Sequence, residues 1–370
     1  MADHDDRLLA ARQSGDRRRG ALLVARVRVV ERQAGGDHVV TALAQRLCEQ
    51  VPARAVVPLA VEEAEGGDGE KLALRHVTDE LKIGRRTVRV THQDKVLFPD
   101  AGVTKLDLAR HYERVAPVML PYVSDRPLAL QAFPNGVGEH GFFMKAVPDY
   151  FPDWVKRKTL PKRGGKITHA LADDAPSLAY LAGQNVVAIH GWLSKADEPR
   201  KPHILIIDFD PSKEGGFPDV RAAARDAGDR LRDAGLSTYA MTTGSRGIHV
   251  VCPLRRGPGF TDVHRFAKSL AQQMVEDNPR KLTLEYLKAN REDKIYVDVN
   301  RNAYAQHAVV PYSTRAKPKA PVAVPIHWDE LADGKLRADR WTVKTIGKRV
   351  ESEGDPWKGM ARRARALPKR

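Results

Sequence analysis

Residues 203–212 read HILIIDFDPS, four apolar side chains delivering two aspartates before a proline stops the pattern. Such a run reads as a buried strand carried to its end. Side chains on a strand alternate faces, so Asp208 and Asp210 project together from one of them. Two carboxylates this close repel unless something positive sits between them. A general acid/base pair would need one dry and one wet environment. Two carboxylates on one face, at the strand mouth, more naturally share Mg²⁺ or Mn²⁺, hard cations that take oxygen ligands and can bracket a phosphoryl displacement. The structural alternative is a strand end whose aspartates accept turn N–H groups ahead of Pro211.

The rest of the chain supplies positive charge. Over 370 residues, 62 Lys and Arg stand against 47 Asp and Glu, a formal charge of +15. That excess points to a polyanionic partner, nucleic acid or an acidic membrane surface. A genome rich in G and C, favouring Arg and Ala, is the bland alternative. No run of eighteen apolar residues argues for a membrane span, and the charged start MADHDDRLLAARQSGDRRRG lacks an apolar signal core. Cys48 and Cys252 form no CxxC pair, so neither a disulfide framework nor a zinc knuckle is expected. The chain reads as a cytoplasmic protein working at the nucleoid.

The length suits two domains, or one large domain with appendages. Residues 1–82 carry an acidic, Gly-rich linker, EEAEGGDGE, and no motif, and are expected to be a small or weakly ordered appendage. Residues 83–357 hold the sharp signals, and 358–370 read as a basic tail. Thr104 with Asp107 approximates a capping box opening a helix through Leu108, Tyr112 and Val115, expected to stop at Pro117. A second helix carries Val220, Ala223, Ala227, Leu231 and Ala234 and closes at Gly235. A third carries Val263, Phe266, Ala267, Leu270 and Met274. LALQAF, ILIID, TYAMTT, IHVVCPL, IYVDV and HAVVPY read as strands, and STRAKPKAPVAVP as an extended loop. Helices and strands mix as in an α/β or α+β core.

Further motifs could join the aspartates. In TTGSRGIHVV a Gly-spaced loop joins two strands. Gly244 and Gly247 would let backbone N–H groups approach an anion, and Arg246 and His249 can meet a phosphate. A plain tight hairpin is the other reading. IYVDVNRN sets Asp298 on another strand, a third carboxylate for metal chemistry or a solvated edge residue. PYSTRAKP places Arg315 and Lys317 in a loop, and HGW holds His190, which alone reads equally as a core histidine. Lys95, Lys105 and Lys145 interleave with Phe98, Phe142 and Phe143, and such lysines and aromatics can bind phosphates and stack on bases.

In this order, DKVLFPDAGVTK, GFFMK, HGWLS, DFDP, TGSRGIHVVCPL, YVDVNRN and PYSTRAKPKAPVAVPIHWDEL resemble the polymerase domain of the bacterial end-joining ligase LigD, of the archaeo-eukaryotic primase (primase-polymerase) superfamily. The resemblance spans roughly 85–357. It implies a mixed α+β fold, with an RRM-like antiparallel catalytic sheet packed on a second α/β module. By the resemblance, Asp208, Asp210 and Asp298 hold two Mn²⁺ or Mg²⁺ ions. His190, Thr243, Arg246, His249, Arg291 and Arg315 hold an incoming NTP or dNTP. Lys95 and Lys105 grip a 5′-phosphate, and Phe142 and Phe143, with Lys145 beside them, meet DNA near a gap or break.

The family's nucleotide loop usually reads Ser-Gly-x-Lys-Gly-x-His; here Thr243 and Arg246 take the Ser and Lys places, a guanidinium fork for a point charge. His92 and Ala132 stand where the family often has Asn and Arg. The implied partners are gapped or broken DNA, a separate ATP-dependent ligase and the Ku end-binding protein. No Lys-x-Asp-Gly ligase motif occurs, so a stand-alone polymerase module is expected. Two other readings stay open: a non-catalytic repair scaffold that binds nucleic acid, and a haloacid-dehalogenase-like phosphohydrolase, whose strand–DxD motif LIIDFDPS resembles but which needs Thr or Val at Ser212 and a later paired acidic motif.

Overall fold

The computed structural model describes residues 79–212 and 216–368, so most of the expected N-terminal appendage lies outside the described residues. Two short hairpins come first: β1 (Glu80–Ile83) with β2 (Arg86–Arg89), then β3 (Val96–Phe98) with β4 (Val103–Thr104). A boundary at residue 82 therefore falls inside β1. Helix α1 (Lys105–Val123) follows, then β5 (Leu128–Ala132), β6 (Phe142–Met144), the hairpin β7 (Arg157–Lys162) and β8 (Gly165–Ala170), helix α2 (Ala175–Gly183) and β9 (Val186–Trp192). The aspartate strand is β10 (Ile204–Pro211). After it come α3 (Phe217–Asp233), β11 (Tyr239–Thr242), β12 (Ile248–Pro253), α4 (Phe260–Asp277), β13 (Leu282–Thr283), β14 (Ile295–Asp298), β15 (His307–Val309), β16 (Val324–Ile326) and α5 (Ile346–Glu353).

The α1 capping box forms as the sequence suggests: Thr104 Oγ1 accepts from Asp107 N at 3.1 Å, and Asp107 Oδ2 accepts from Thr104 N at 2.8 Å. The helix does not stop at Pro117, however, but runs through Pro117 and Pro121 to Val123. An interior proline forfeits a backbone hydrogen bond, at a cost of about 3 kcal/mol. The last turns bury Met119, Tyr122 and Val123, which offsets that loss. Helix α3 closes at Gly235 (φ +84°), with Gly235 N donating to Arg232 O and Leu236 N to Leu231 O, the paired bonds of a Schellman motif.

Two sheets organise the molecule. The larger runs β13-β14-β10-β12-β11-β16, antiparallel throughout except for the β13–β14 pair. The smaller runs β15-β9-β5-β6, all antiparallel. The chain passes from small to large between β9 and β10, and returns between β14 and β15. Alternation along β10 then divides the labour. Leu205, Ile207 and Phe209 are fully buried, with α3 and α4 packed on this strand. Ile204 and Ile206 face the other way, lining an internal apolar space with Trp192 and Val309 of the smaller sheet. Asp208 and Asp210 continue that second face to the end of the strand. The fold is thus mixed α/β, with an antiparallel central sheet packed on a second α/β layer.

The strand-like segments of the sequence form β5, β10, β11, β12, β14 and β15. Residues 358–368 do not hang free: Met360 is buried, and Arg365 exchanges main-chain bonds with Arg255 N and Pro253 O. Among the described residues no helix is long and apolar enough to cross a membrane.

One amide carries much of the order around β10. Pairing with β14 begins only at Asp208, so Ile206 meets no strand partner on that edge. The side chain of fully buried Asn302 substitutes, accepting from Ile206 N at 3.0 Å and donating to Ile206 O at 2.6 Å. Replacing Asn302 with Ala strands both groups, and is expected to cost about 3 kcal/mol in denaturant unfolding. A loss below about 0.5 kcal/mol, the level of an indifferent substitution, would show the pairing to be dispensable.

Candidate active site

Sheet register brings the acidic residues together. On β10, Asp208 lies opposite Asp298 of β14 on one side and opposite His249 of β12 on the other. Three neighbouring strands therefore present His249, Asp208 and Asp298 in one row across the sheet, with Asp210 one pleat further along. His249 Nε2 lies 3.4 Å from Asp208 Oδ2. Arg246 Nη2 reaches both oxygens of Asp210 at 3.1 Å. Arg301 Nε lies 3.5 Å from Asp298 Oδ2 and 3.8 Å from Asp208 Oδ2.

These neighbours divide the carboxylates electrostatically. Burial opposes the charge on Asp208, but His249, Arg301 and Arg315 outweigh it and hold the carboxyl below the usual aspartate range. Asp210 is pushed up, first by burial and then by Asp208, with Arg246 and Arg291 opposing. Asp298 is pushed up by burial and by Asp208, against Arg301 and the Asn300 N–H that donates to its Oδ1 at 2.8 Å.

The Gly-spaced loop between β11 and β12 forms one wall. Thr243 Oγ1 accepts from Gly247 N at 3.2 Å, and Thr243 N donates to Gly247 O at 3.0 Å, closing the turn on itself. Gly244 adopts φ +66°. A Cβ on Gly247 would meet the carbonyl oxygen of Phe209 at 2.1 Å, so only glycine lets the loop lie on β10 between the two aspartates. Arg315 is mostly buried and donates to Thr243 O at 2.7 Å, binding the extended 313–323 loop to this turn.

A pocket of about 1050 Å³ opens here, lined by Asp208, Asp210, Arg246, His249, Arg315 and His190, with Thr243 and Phe143 at its walls. His190 is buried, and burial followed by Arg315 pushes its pKa well down, so it presents a neutral ring. The Nδ1 atoms of His190, His249 and His307 are buried without a hydrogen-bond partner. A second cleft of about 720 Å³ shares Asp208, Asp210 and Arg301 with the first, and adds Asp298, Arg291 and the exposed Tyr286.

Not every expected residue enters the first pocket. Arg291 lies in the second cleft, stacked 3.9 Å over Tyr296 and donating to Glu285 O and Tyr286 O. Lys95 and Lys105 sit together at the start of α1, where Lys105 N donates to Lys95 O. Lys105 is buried, and burial followed by Lys95 lowers its pKa. Phe143 packs edge-on against His190 at 5.4 Å, while its neighbour Phe142 is half exposed at the sheet edge and Lys145 is exposed beyond it. Two site residues escaped the sequence reading. Arg301 was signalled only by standing three positions after Asp298 on a turn, and His307, against His190 at 5.4 Å, by opening the strand HAVVPY.

Hard divalent cations fit this donor set, which offers carboxylate oxygens on one wall. Among the described residues no group of three His, Cys, Asp or Glu closes round one point as a preformed cage. Guanidinium groups stand between the carboxylates instead. Asp298 remains unaccompanied by a second acidic motif, which deprives the phosphohydrolase reading of a feature it needs.

The family described as LigD, primase-polymerase domain, matches residues 104–357. The multifunctional non-homologous end joining DNA repair protein LigD of Mycobacterium tuberculosis is 33% identical over 276 residues, 72% of this chain and 36% of that protein. The bifunctional LigD of Bacillus subtilis is 27% identical over 271 residues, 73% of this chain and 43% of that protein. The chain thus spans 36% and 43% of the length of these two relatives. The solved polymerase domain of M. tuberculosis ligase D in complex with DNA aligns with a TM-score of 0.70 and 30% identity, covering 75% of this chain and 99% of that one. The chain belongs to the LigD primase-polymerase domain family.

Asp298 supplies a test of the electrostatics. Its folded pKa is raised, so ionising it disfavours the fold, a penalty absent below the unfolded value near pH 4 and growing as pH rises through the folded one. Asp298→Asn removes that charge and should raise the melting temperature in EDTA at neutral pH. The gain should vanish at pH 3.5. Melting that is lower, or equally raised at both pH values, contradicts the assignment.

Proposed function

We propose that this chain is a metal-dependent nucleotidyltransferase that adds NTPs or dNTPs to a primer 3′-hydroxyl at gaps or breaks in DNA. One observation carries the reading: Asp208 stands in register with Asp298, at the junction of a cation-lined pocket and a second cleft. A nucleotide triphosphate suits the first, with Arg246, His249 and Arg315 on its phosphates and the neutral ring of His190 beside its sugar. A primer end suits the second, so that the 3′-oxygen and the α-phosphate meet over the carboxylates.

Bound Mn²⁺ or Mg²⁺ would lower the barrier to deprotonating the 3′-hydroxyl and neutralise charge on the leaving pyrophosphate. Asp208, Asp210 and Asp298 would hold it. The remaining work is positioning and charge stabilisation, done here by fixed donors rather than by mobile water. Arg315, tied to Thr243 O and largely buried, is preorganised to meet a triphosphate. Lys95 and Lys105 would take a 5′-phosphate: two ammonium groups held together at a helix start gain most from an anion between them. Phe142 and Phe143 would meet bases near the discontinuity. The relatives are named for non-homologous end joining, and we extend that setting, with a separate ligase and the Ku end-binding protein as partners, to this chain.

Extension of a 5′-phosphorylated gapped duplex, with NTPs against dNTPs and Mn²⁺ against Mg²⁺, tests the reading and separates it from a non-catalytic scaffold. Asp208→Ala should lower extension at least about 10³-fold, the scale of losing a principal electrostatic element, with DNA affinity held within about twofold. Extension surviving in that variant removes the assignment. Lys95→Glu should abolish the preference for a 5′-phosphorylated over an unphosphorylated gap while leaving extension on a simple primer–template intact; a preserved preference would place the phosphate elsewhere.

A further inference from the structure

Arg301 is unlike the other cations of the site. Arg246 serves Asp210, Arg315 is tied to the main chain of Thr243, and Arg291, 3.7 Å from Asp210 alone, is tied to the main chain of Glu285 and Tyr286. The guanidinium of Arg301 lies between Asp208 and Asp298, reaching each at 3.5–3.8 Å without a hydrogen bond to either. It lines both clefts, at the junction where the proposed reactants would meet.

The backbone under Arg301 is held while the side chain is not. The short turn Asn300–Asn302 starts with Asn300 N donating to Asp298 Oδ1, and ends in buried Asn302, bonded to the main chain of Ile206 and Val299. The Arg301 side chain itself is 38% exposed. A fixed anchor with a free arm lets the cation leave the carboxylates without moving the strands. Like charges directly opposite on neighbouring strands destabilise a sheet, so the pair needs a cation whenever it is ionised.

We infer that Arg301 is a built-in counter-ion that keeps the Asp208–Asp298 pair compensated in the metal-free protein, and that a divalent cation binding there displaces its guanidinium. This rests on the metal-binding reading above. The two cations compete: Arg301 lowers the apparent metal affinity of the site, and in exchange keeps the empty site folded. Once displaced, the guanidinium stays within reach of both clefts, where the phosphate oxygens of the proposed reactants could meet it.

The test is Mn²⁺ binding by calorimetry on the full chain, with thermal unfolding in EDTA and in saturating Mn²⁺. Arg301→Gln should bind Mn²⁺ about tenfold more tightly than wild type, since a unit charge within 4 Å no longer competes. Its melting temperature should fall in EDTA and recover toward wild type in Mn²⁺. Arg301→Lys, which keeps the charge, should resemble wild type in both, and Arg301→Met, neutral and of similar length, repeats the measurement should the glutamine variant fold poorly. Wild type that binds Mn²⁺ while both neutral variants bind no tighter overturns the counter-ion but leaves the metal site standing. Equal loss of stability with and without Mn²⁺ also overturns it, marking Arg301 as merely structural. Absence of Mn²⁺ binding in wild type and variants alike removes the metal reading, and the inference with it.

Discussion

Two aspartates face each other across adjacent antiparallel strands, and the surrounding architecture makes that juxtaposition tolerable. Asp208 and Asp298 are register partners, both largely buried. Placing one ion in a low-dielectric interior costs several kcal/mol, and a like charge beside it adds to the cost. The structure meets this with partners from different parts of the chain: the His249 ring from β12, and the guanidinium groups of Arg301 from the turn after β14 and Arg315 from a loop beyond β15. Asp210 has Arg246. The carboxyls of Asp210 and Asp298, pushed up by burial and by Asp208, still cost stability when ionised, the usual trade at an electrostatically poised site.

The backbone is shaped to the same end. Gly247 lies against the carbonyl of Phe209, between the two β10 aspartates, because no side chain could fit there. The same turn places Arg246 on Asp210, and it is braced from outside by Arg315 on Thr243 O. Opposite, Asn302 extends the ladder where β14 runs out, which sets the turn that carries Arg301. Rigid main chain and exposed cationic tips coexist within a few residues of each other. The exchange of large anions proposed for this site would benefit from that division.

Much of this was legible in the residues. Alternation placed Asp208 and Asp210 on one face, and Gly244 and Gly247 in TTGSRGIHVV marked the tight loop that joins β11 to β12. Helix starts and stops followed from capping chemistry at Thr104 and Gly235. Where local rules misled, tertiary packing had overridden them. Pro117 reads as a stop, yet the turns beyond it bury Met119, Tyr122 and Val123. The basic end of the chain reads as a tail, yet Met360 and Arg365 bind it to the larger sheet.

By itself the sequence determined the strands, the side each aspartate takes and the Gly-spaced turn ahead of His249, because pleat, turn and cap are short-range properties of the chain. Only the tertiary structure decided that Asp298 stands opposite Asp208, that Arg301 rather than another cation lies between them, and that His190 and His307 share a wall. Those are matters of register and of which strands become neighbours. They join residues up to 117 positions apart, and no local periodicity encodes a partner at that range.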